Sequence, residues 1–147
     1  MKQVDFYLLS NQVRDAKFKL ASKLANKLQR SDLRALIVTD NEESTDRLDQ
    51  IMWSFNDASY LAHDRLDDER LPSLTHIGPH NSVSQATLER DYDVLINLST
   101  SVPMYNHHFN RIAEIVEADE SSKAAGRARY KSYKTEGFEL KTHSIEL

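Results

Sequence analysis

The chain has 147 residues, of which 39% are hydrophobic and 29% charged, as in globular proteins, so we expect a single domain spanning residues 1–147. The absence of cysteine excludes disulfides, thiol nucleophiles and cysteine metal sites, and it is compatible with a cytoplasmic protein. No apolar run approaches the length of a membrane span, and the N-terminus lacks the apolar core of a signal peptide, so we expect no membrane contact.

Apolar runs and amphipathic segments alternate in the first part of the chain. Residues 4–9 (VDFYLL) and 35–39 (ALIVT) are short apolar runs, typical of strands buried on both faces. Residues 14–30 and 42–53 repeat apolar side chains every three or four positions, which predicts two amphipathic helices. Lysines fill the outward positions of the first helix. An aromatic-rich segment then predicts a strand around residues 59–62.

The second part of the chain is less regular. Residues 64–90 contain several turn signals, and we expect a loop there with room for one short strand. Residues 92–98 (YDVLINL) predict a third buried strand. Residues 106–116 predict a short helix, and residues 116–118 a brief strand after it. The expected inner face of that helix consists of Phe109, Ile112, Ala113 and Val116.

Strands that alternate with helices predict a mainly parallel α/β sheet flanked by helices on both faces, as in Rossmann-like, nucleotide-binding folds. Such folds hold phosphates with glycine-rich turns after their strands. The chain has only three glycines, Gly78, Gly126 and Gly137, and none follows a predicted strand at the required place. We therefore expect the fold without its phosphate-binding loop, and no cofactor.

Side chains for catalysis or metal binding are sparse. His107 and His108 are adjacent and point apart on a helix, and the other four histidines lack ligand spacing, so we expect no metal site. The hydroxyl cluster at residues 99–101 follows the third predicted strand. It leaves one alternative open, an enzyme of the doubly wound class, although a plain loop is the commoner reading.

Residues 121–138 (SSKAAGRARYKSYKTEGF) are the most distinctive segment. The segment predicts a helix that Asp119, Ser121 or Ser122 caps and that Gly137 ends. No acid lies in its first fifteen residues, whereas five bases do. On a chain of net charge −4, such a positive island attracts an acidic partner through its local field. The five bases are Lys123, Arg127, Arg129, Lys131 and Lys134.

Helical periodicity sorts these residues onto faces. One face carries Lys123, Arg127, Tyr130 and Lys134, with Lys131 beside them. We expect a strip of small residues to pack against the domain, so that the helix presents a tyrosine among cations. That strip is Ala124, Ala128 and Ser132.

Two alternatives to an acidic partner remain open for this helix. In the first, it is a solvated surface helix, and its bases cluster in the C-terminal half because the helix dipole favours positive charge there. In the second, it binds single-stranded nucleic acid through phosphate contacts and through stacking of bases on Tyr130 or Tyr133. The net charge of −4 and the single short basic patch argue against strong direct DNA binding.

These segments together resemble the chi subunit family of bacterial DNA polymerase III, accessory proteins of the clamp loader. The resemblance covers essentially the whole chain. It rests on VDFYLL, RALIVTDNEESTDRLDQIMW, DVLINLST and, above all, RARYKSYKTEGF, whose bases, two tyrosines and Gly-Phe recur there with fixed spacing. Residues 64–90 contribute little to it.

The resemblance implies a non-enzymatic adaptor without nucleotide chemistry. Chi proteins pair one to one with the small psi subunit of the clamp loader. They also bind the acidic C-terminal tail of single-stranded DNA-binding protein, which ends in a phenylalanine carboxylate. Carried over to this chain, the tail-binding residues would be Lys123, Arg127, Tyr130, Lys131, Lys134, Gly137 and Val116. The psi-facing residues would be Trp53, Tyr60 and His63.

Two positions depart from the family pattern. Tyr60 stands where a phenylalanine can occur, and Lys134 stands where an arginine can occur, which removes bidentate pairing. The residues alone leave Trp53 and Tyr60 open between a core position and an exposed patch for a protein partner. Because a disordered tail loses entropy on binding, we expect affinity in the micromolar range with strong salt dependence.

Overall fold

The computed structural model of the protein describes residues 2–54, 61–68 and 71–147. The described elements follow one another as β1 (Gln3–Leu9), α1 (Ala16–Arg30), β2 (Ala35–Thr39), α2 (Glu42–Trp53), β3 (Asp64–Arg65), β4 (Thr75–Pro79), α3 (Gln85–Leu88), β5 (Val94–Asn97), β6 (Arg111–Val116), α4 (Glu120–Thr135) and β7 (Glu139–Ile145). None of the described helices has both the length and the apolarity that crossing a bilayer needs.

The seven described strands form one sheet in the order β3-β4-β2-β5-β6-β1-β7, and every neighbouring pair is parallel. Side chains alternate between its two faces, as β2 illustrates. Ala35 and Ile37 belong to the core cluster beneath α1 and α2, whereas Leu36 and Val38 belong to the cluster beneath α4. The expected parallel α/β fold with helices on both faces is therefore confirmed.

The helix predicted for residues 106–116 is wrong. Asn106–His108 is a single 3-10 turn, and Arg111–Val116 is strand β6, which lies between β5 and β1 near the middle of the sheet. The run IAEIV is buried throughout on both faces. Because four of these five positions are apolar, the run fits helical spacing as well as a strand, so the β-branched residues were the better guide.

The prediction of a loop with one short strand for residues 64–90 is incomplete, because the region also contains β3 and α3. This region contains β3, β4 and α3, and β4 is a fully buried strand that pairs with β2. Its sequence, THIGP, contains no apolar run. Polar His76 can be buried there because it hydrogen-bonds with Tyr92 Oη at 2.5 Å and Ser73 O at 2.9 Å. Gly78 lets Leu66 pack against the strand, since a Cβ there would lie 2.8 Å from Leu66 Cδ1.

Three further differences concern the strands. The strand predicted around residues 59–62 falls partly on Ser59 and Tyr60, which lie outside the described residues, and Leu61 and Ala62 are not in a strand. The brief strand at residues 116–118 is absent because β6 ends at Val116. Sequence analysis did not anticipate β7, an edge strand whose polar sequence ELKTHSI is largely exposed.

Candidate functional site

Helix α4 begins where the sequence predicted. Asp119 is its N-cap, and the Asp119 carboxylate accepts hydrogen bonds from Ser122 N at 3.0 Å and Ser122 Oγ at 2.7 Å. These two hydrogen bonds favour the charged carboxylate and lower the pKa of Asp119. The capping aspartate therefore fixes the position at which the basic segment enters the helix.

The helix ends at Gly137, as predicted, in a Schellman motif. Gly137 has φ 87°, its N–H donates to Lys134 O at 3.1 Å, and the N–H of Phe138 donates to Tyr133 O at 3.1 Å. The rings of Phe138 and Tyr133 pack edge to face at 5.3 Å. Gly137 thus turns the chain from α4 into β7 through its backbone conformation.

The packing face of α4 differs from the predicted alanine strip. Ala124 and Ala128 are exposed, whereas Gly126, Arg129 and Tyr133 are buried against the sheet. The prediction counted Arg129 among the bases of the positive island and did not place it on the packing face. It was wrong because Arg129 has a buried counter-ion, Glu114 on β6.

A buried polar network joins α4 to the sheet around Glu114, whose side chain is 0% exposed. The Glu114 carboxylate accepts from Arg129 Nε at 2.9 Å, from Tyr133 Oη at 2.7 Å and from Asn97 Nδ2 at 2.8 Å. Complete burial raises the pKa of Glu114, while the Arg129 guanidinium and the two neutral donors oppose that rise. The network was not predicted, because residues 106–116 were assigned to a helix.

Beside α4 lies a cleft with a volume of about 270 Å³, whose walls come from α4 and from strands β1, β6 and β7. Its floor is mainly apolar, and cations stand at its rim. Four of the residues assigned to the tail site by resemblance meet in its lining: Val116, Lys123, Arg127 and Tyr130. Sequence analysis missed the other lining residues, which are Phe6, Leu8, Leu9, Glu117, Gly126 and Thr142.

The half-buried ring of Tyr130 forms one wall of the cleft. It packs on Phe6 with ring centroids 5.3 Å apart and the planes tilted by 55°. Arg127 is exposed and has no ion pair among the described residues, whereas Lys123 lies 3.9 Å from the exposed Glu120. The rim therefore offers a free guanidinium next to an aromatic wall, which suits a ligand that is both anionic and apolar.

The remaining residues of the assigned tail site do not line the cleft. Lys131 and Lys134 are exposed on α4. With Lys123 and Arg127 they form a row at positions i, i+4, i+8 and i+11, which extends the positive rim along the helix. Gly137 sits beyond the row at the helix end.

The residues assigned to psi lie on α2 and the segment after it. Trp53 is 51% exposed and its ring packs on His63 at 4.6 Å, so it is a half-exposed residue rather than a core residue. The His63 side chain is only 1% exposed and hydrogen-bonds with Asp49 Oδ1 at 2.6 Å and Leu61 O at 2.9 Å. His63 can support Trp53 but cannot itself offer a surface. Tyr60 lies outside the described residues.

The other candidate sites raised by the sequence are a metal site and a site at the hydroxyl cluster of residues 99–101. No group of three or more histidine, aspartate or glutamate residues in the part of the chain that the structure covers could hold a metal ion. Ser99, in the hydroxyl cluster at residues 99–101, is buried, and its Oγ donates to Asn97 Oδ1 at 2.6 Å. That hydroxyl belongs to the network around Glu114, which explains it as a structural residue.

Comparison with known proteins identifies the family. The family described as DNA polymerase III chi subunit, HolC, matches residues 1–141. Relatives named DNA polymerase III subunit chi are 27% identical in Pseudomonas aeruginosa, over 99% of this chain and 98% of theirs, and 28% in Haemophilus influenzae, over 98% of both. The Escherichia coli relative of the same name is 30% identical over 97% of both chains. This chain therefore belongs to the DNA polymerase III chi subunit family of replication accessory subunits.

Proposed function

We propose that this protein is a non-catalytic replication adaptor with two docking surfaces. The cleft beside α4 binds the acidic, phenylalanine-terminated C-terminal tail of single-stranded DNA-binding protein, and the surface around Trp53 binds the psi subunit of the clamp loader. The observation that carries the proposal is the meeting of Val116, Lys123, Arg127 and Tyr130 in one apolar cleft with a cationic rim.

The size and lining of the cleft support an aromatic ligand. Its volume of about 270 Å³ exceeds that of an apolar cavity of roughly 150 Å³ that binds benzene. Phe6 and Leu8 supply apolar wall, and Tyr130 supplies an aromatic face against which a phenylalanine ring can pack. The cleft is therefore large enough and apolar enough to take the ring of a terminal phenylalanine.

The rim supports a ligand with several negative charges. Arg127 presents a planar fork of donors that matches a terminal carboxylate. Lys131 and Lys134 lie further along the same row and can meet acidic side chains that precede the terminus. The expected affinity is micromolar, about −8 kcal/mol, and it should fall as salt screens these exposed charges.

Replacing Arg127 with alanine should weaken binding of an acidic peptide that ends in phenylalanine by about 1–3 kcal/mol, the usual cost of losing a charged hydrogen-bond partner. Isothermal titration at low salt measures the change. Arg30→Ala, which removes an exposed arginine from α1 on the opposite face of the sheet, is the matched control. The same peptide with a C-terminal amide should lose less on Arg127→Ala. Unchanged affinity in the variant would remove Arg127 from the site.

Trp53→Ala should weaken capture of the psi subunit at least ten-fold and leave peptide binding in the cleft unchanged. Large aromatic side chains at the centre of an interface commonly contribute about 2 kcal/mol or more. Met104→Ala is the control, because Met104 is 98% exposed and was assigned to neither surface. Tyr60→Ala should behave as Trp53→Ala does. A Trp53 variant that binds psi normally would rule out this surface, and loss of both partners would show that Trp53 acts through folding.

A further inference from the structure

A second row of cations runs along α1. Lys19, Lys23, Lys27 and Arg30 are all exposed and stand at positions i, i+4, i+8 and i+11, the same spacing as the row on α4. At about 1.5 Å of rise per residue, successive members of the row are roughly 4.5–6 Å apart along the helix axis, on one side of the helix. No acid occurs within α1 itself. The core clusters place α1 on the opposite face of the sheet from α4.

The cations of the row form no salt bridge within the described residues. None of its four members lies within 4.0 Å of an acidic oxygen there. Asp15, the acid before the helix, is paired with Arg47 of α2, and the charge of Lys19 also contributes to lowering the pKa of Asp15. Like charges at positions i and i+4 destabilise a helix. An anionic ligand would remove that cost.

We propose that this α1 row binds the phosphate backbone of nucleic acid, so that the protein contacts DNA directly on the face opposite its peptide cleft. Regularly spaced point charges suit a regularly spaced polyanion, and lysine binds phosphate as a point charge. Phe18, the aromatic residue of α1, is buried in the core, so the row has no stacking platform of its own. The contact is therefore weak, independent of base sequence and strongly dependent on salt.

The shape of the neighbouring surface favours a backbone over a peptide. A groove of about 850 Å³ between α1 and α2 borders only the N-terminal half of the row, at Lys19 and Lys23. Lys27 and Arg30 are not among its lining residues. A peptide seated in this groove would leave half of the row unused, whereas a nucleic-acid backbone laid along α1 would use all four cations.

The test uses the full chain and fluorescence anisotropy with a labelled 30-mer of thymidine at about 50 mM NaCl, where non-specific dissociation constants are typically of order 10–100 μM or tighter. Replacing all four cations of the α1 row with glutamine should weaken binding at least ten-fold. The slope of log K against log salt should change from about −2.8 for four phosphate contacts towards zero. The matched control carries glutamine at Lys123, Arg127, Lys131 and Lys134, which removes the same charge from the same spacing on α4. It should keep DNA binding and lose peptide binding.

Four further measurements complete the test. Arginine at Lys19, Lys23 and Lys27 should retain binding, and the glutamine variant should melt no lower than wild type, because it relieves like-charge pairs. A 30-bp duplex measured in parallel shows whether the row takes single strands, duplexes or both, and binding of either supports the proposal. Wild-type DNA affinity in the α1 variant, or loss of DNA binding in the α4 variant alone, would overturn it. A labelled glutamate decamer that binds through Lys19 and Lys23 and is insensitive to Lys27→Gln/Arg30→Gln would also overturn it, in favour of an acidic peptide.

Discussion

Replacing Arg129 with alanine is expected to lower the free energy of unfolding by about 3–5 kcal/mol, the cost of leaving a buried charge without its partner. Arg129 donates to the fully buried Glu114 at 2.9 Å, and the structure provides no other cation within 4.0 Å of that carboxylate among the described residues. Urea denaturation measures the loss. Arg127→Ala, two positions earlier on the same helix but exposed, is the control and should cost less than about 0.5 kcal/mol.

A second substitution separates the buried charge from lost packing. Glu114→Gln should destabilise the wild type, because it weakens the pair with Arg129. In the Arg129→Ala background the same change should restore stability, because a neutral amide needs no counter-ion and its oxygen can still accept from Tyr133. A Glu114→Gln change that destabilises both backgrounds equally would show that the two residues are not energetically coupled.

The pH dependence of the Arg129→Ala variant gives the same distinction. Burial already raises the pKa of Glu114, and removal of the guanidinium would raise it further. An acid whose pKa is higher in the folded state than in the unfolded state binds more protons when folded, so the variant loses stability as pH rises above the unfolded pKa of about 4.3. The stability deficit relative to wild type should therefore shrink as the pH falls towards that value.

The fold could be predicted where helix-capping residues and apolar runs in the sequence agree with the packing in the folded protein. The ends of α4 follow from Asp119 and Gly137, and the first two strands follow from uninterrupted apolar runs. The prediction failed at β6, whose apolar run also fits a helix, and at β4, a buried strand that does not look apolar. In β4 the polar side chain of His76 is buried with its partners, and no sequence pattern indicates that Tyr92, sixteen residues later, will supply one of them.

Of the candidate site, mainly the wall formed by α4 was predicted from the sequence. Lys123, Arg127 and Tyr130 were placed on one helical face by periodicity, and the structure brings them to the same cleft. The opposite wall comes from β1 and β7, strands at the two ends of the chain, and Thr142 was not predicted to lie in a strand. A helical wheel describes one element, whereas a cleft needs the neighbours of that element, which only the sheet order provides.

The buried arginine shows a limit of charge patterns. Five bases in one segment suggest one solvated surface, but Arg129 is buried and paired with Glu114 inside the protein. The signal that could have identified it is the acid within the apolar run RIAEIV, because a buried carboxylate requires a cation or several donors. Arg129 is therefore not part of the exposed positive charge of α4, which consists of four cations.

The packing of α4 on β6 depends on the absence of a side chain at Gly126. A Cβ at this position would lie 2.8 Å from Val116 Cγ2, closer than real Cβ contacts occur, and 3.0 Å from Cγ1. Glycine within a helix costs about 1 kcal/mol relative to alanine. The close approach of α4 to the strand explains why glycine is tolerated here, and both residues line the cleft.

Gly126→Leu is therefore expected to destabilise the protein by about 1–3 kcal/mol through overpacking and to weaken binding of the acidic, phenylalanine-ended peptide at least ten-fold. Leucine is a good helix former, so the loss cannot come from helix propensity. Ala128→Leu, two positions later but exposed, adds an apolar side chain without filling the cleft and should preserve both stability and binding. Denaturation and peptide titration of the two variants measure the difference.

A double-mutant cycle between Gly126 and Val116 locates the clash. Gly126→Ala in the wild type has two opposing effects: it gains about 1 kcal/mol in helix propensity and it creates a clash with Val116. In a Val116→Ala background the contact is removed, and the same substitution should stabilise the protein by close to that full amount. The difference between the two backgrounds is the coupling energy of the pair, which residues in contact show at about 0.5–3 kcal/mol. Equal effects in both backgrounds, together with wild-type peptide affinity in Gly126→Leu, would mean that α4 can move away from β6 and that the cleft does not depend on this contact.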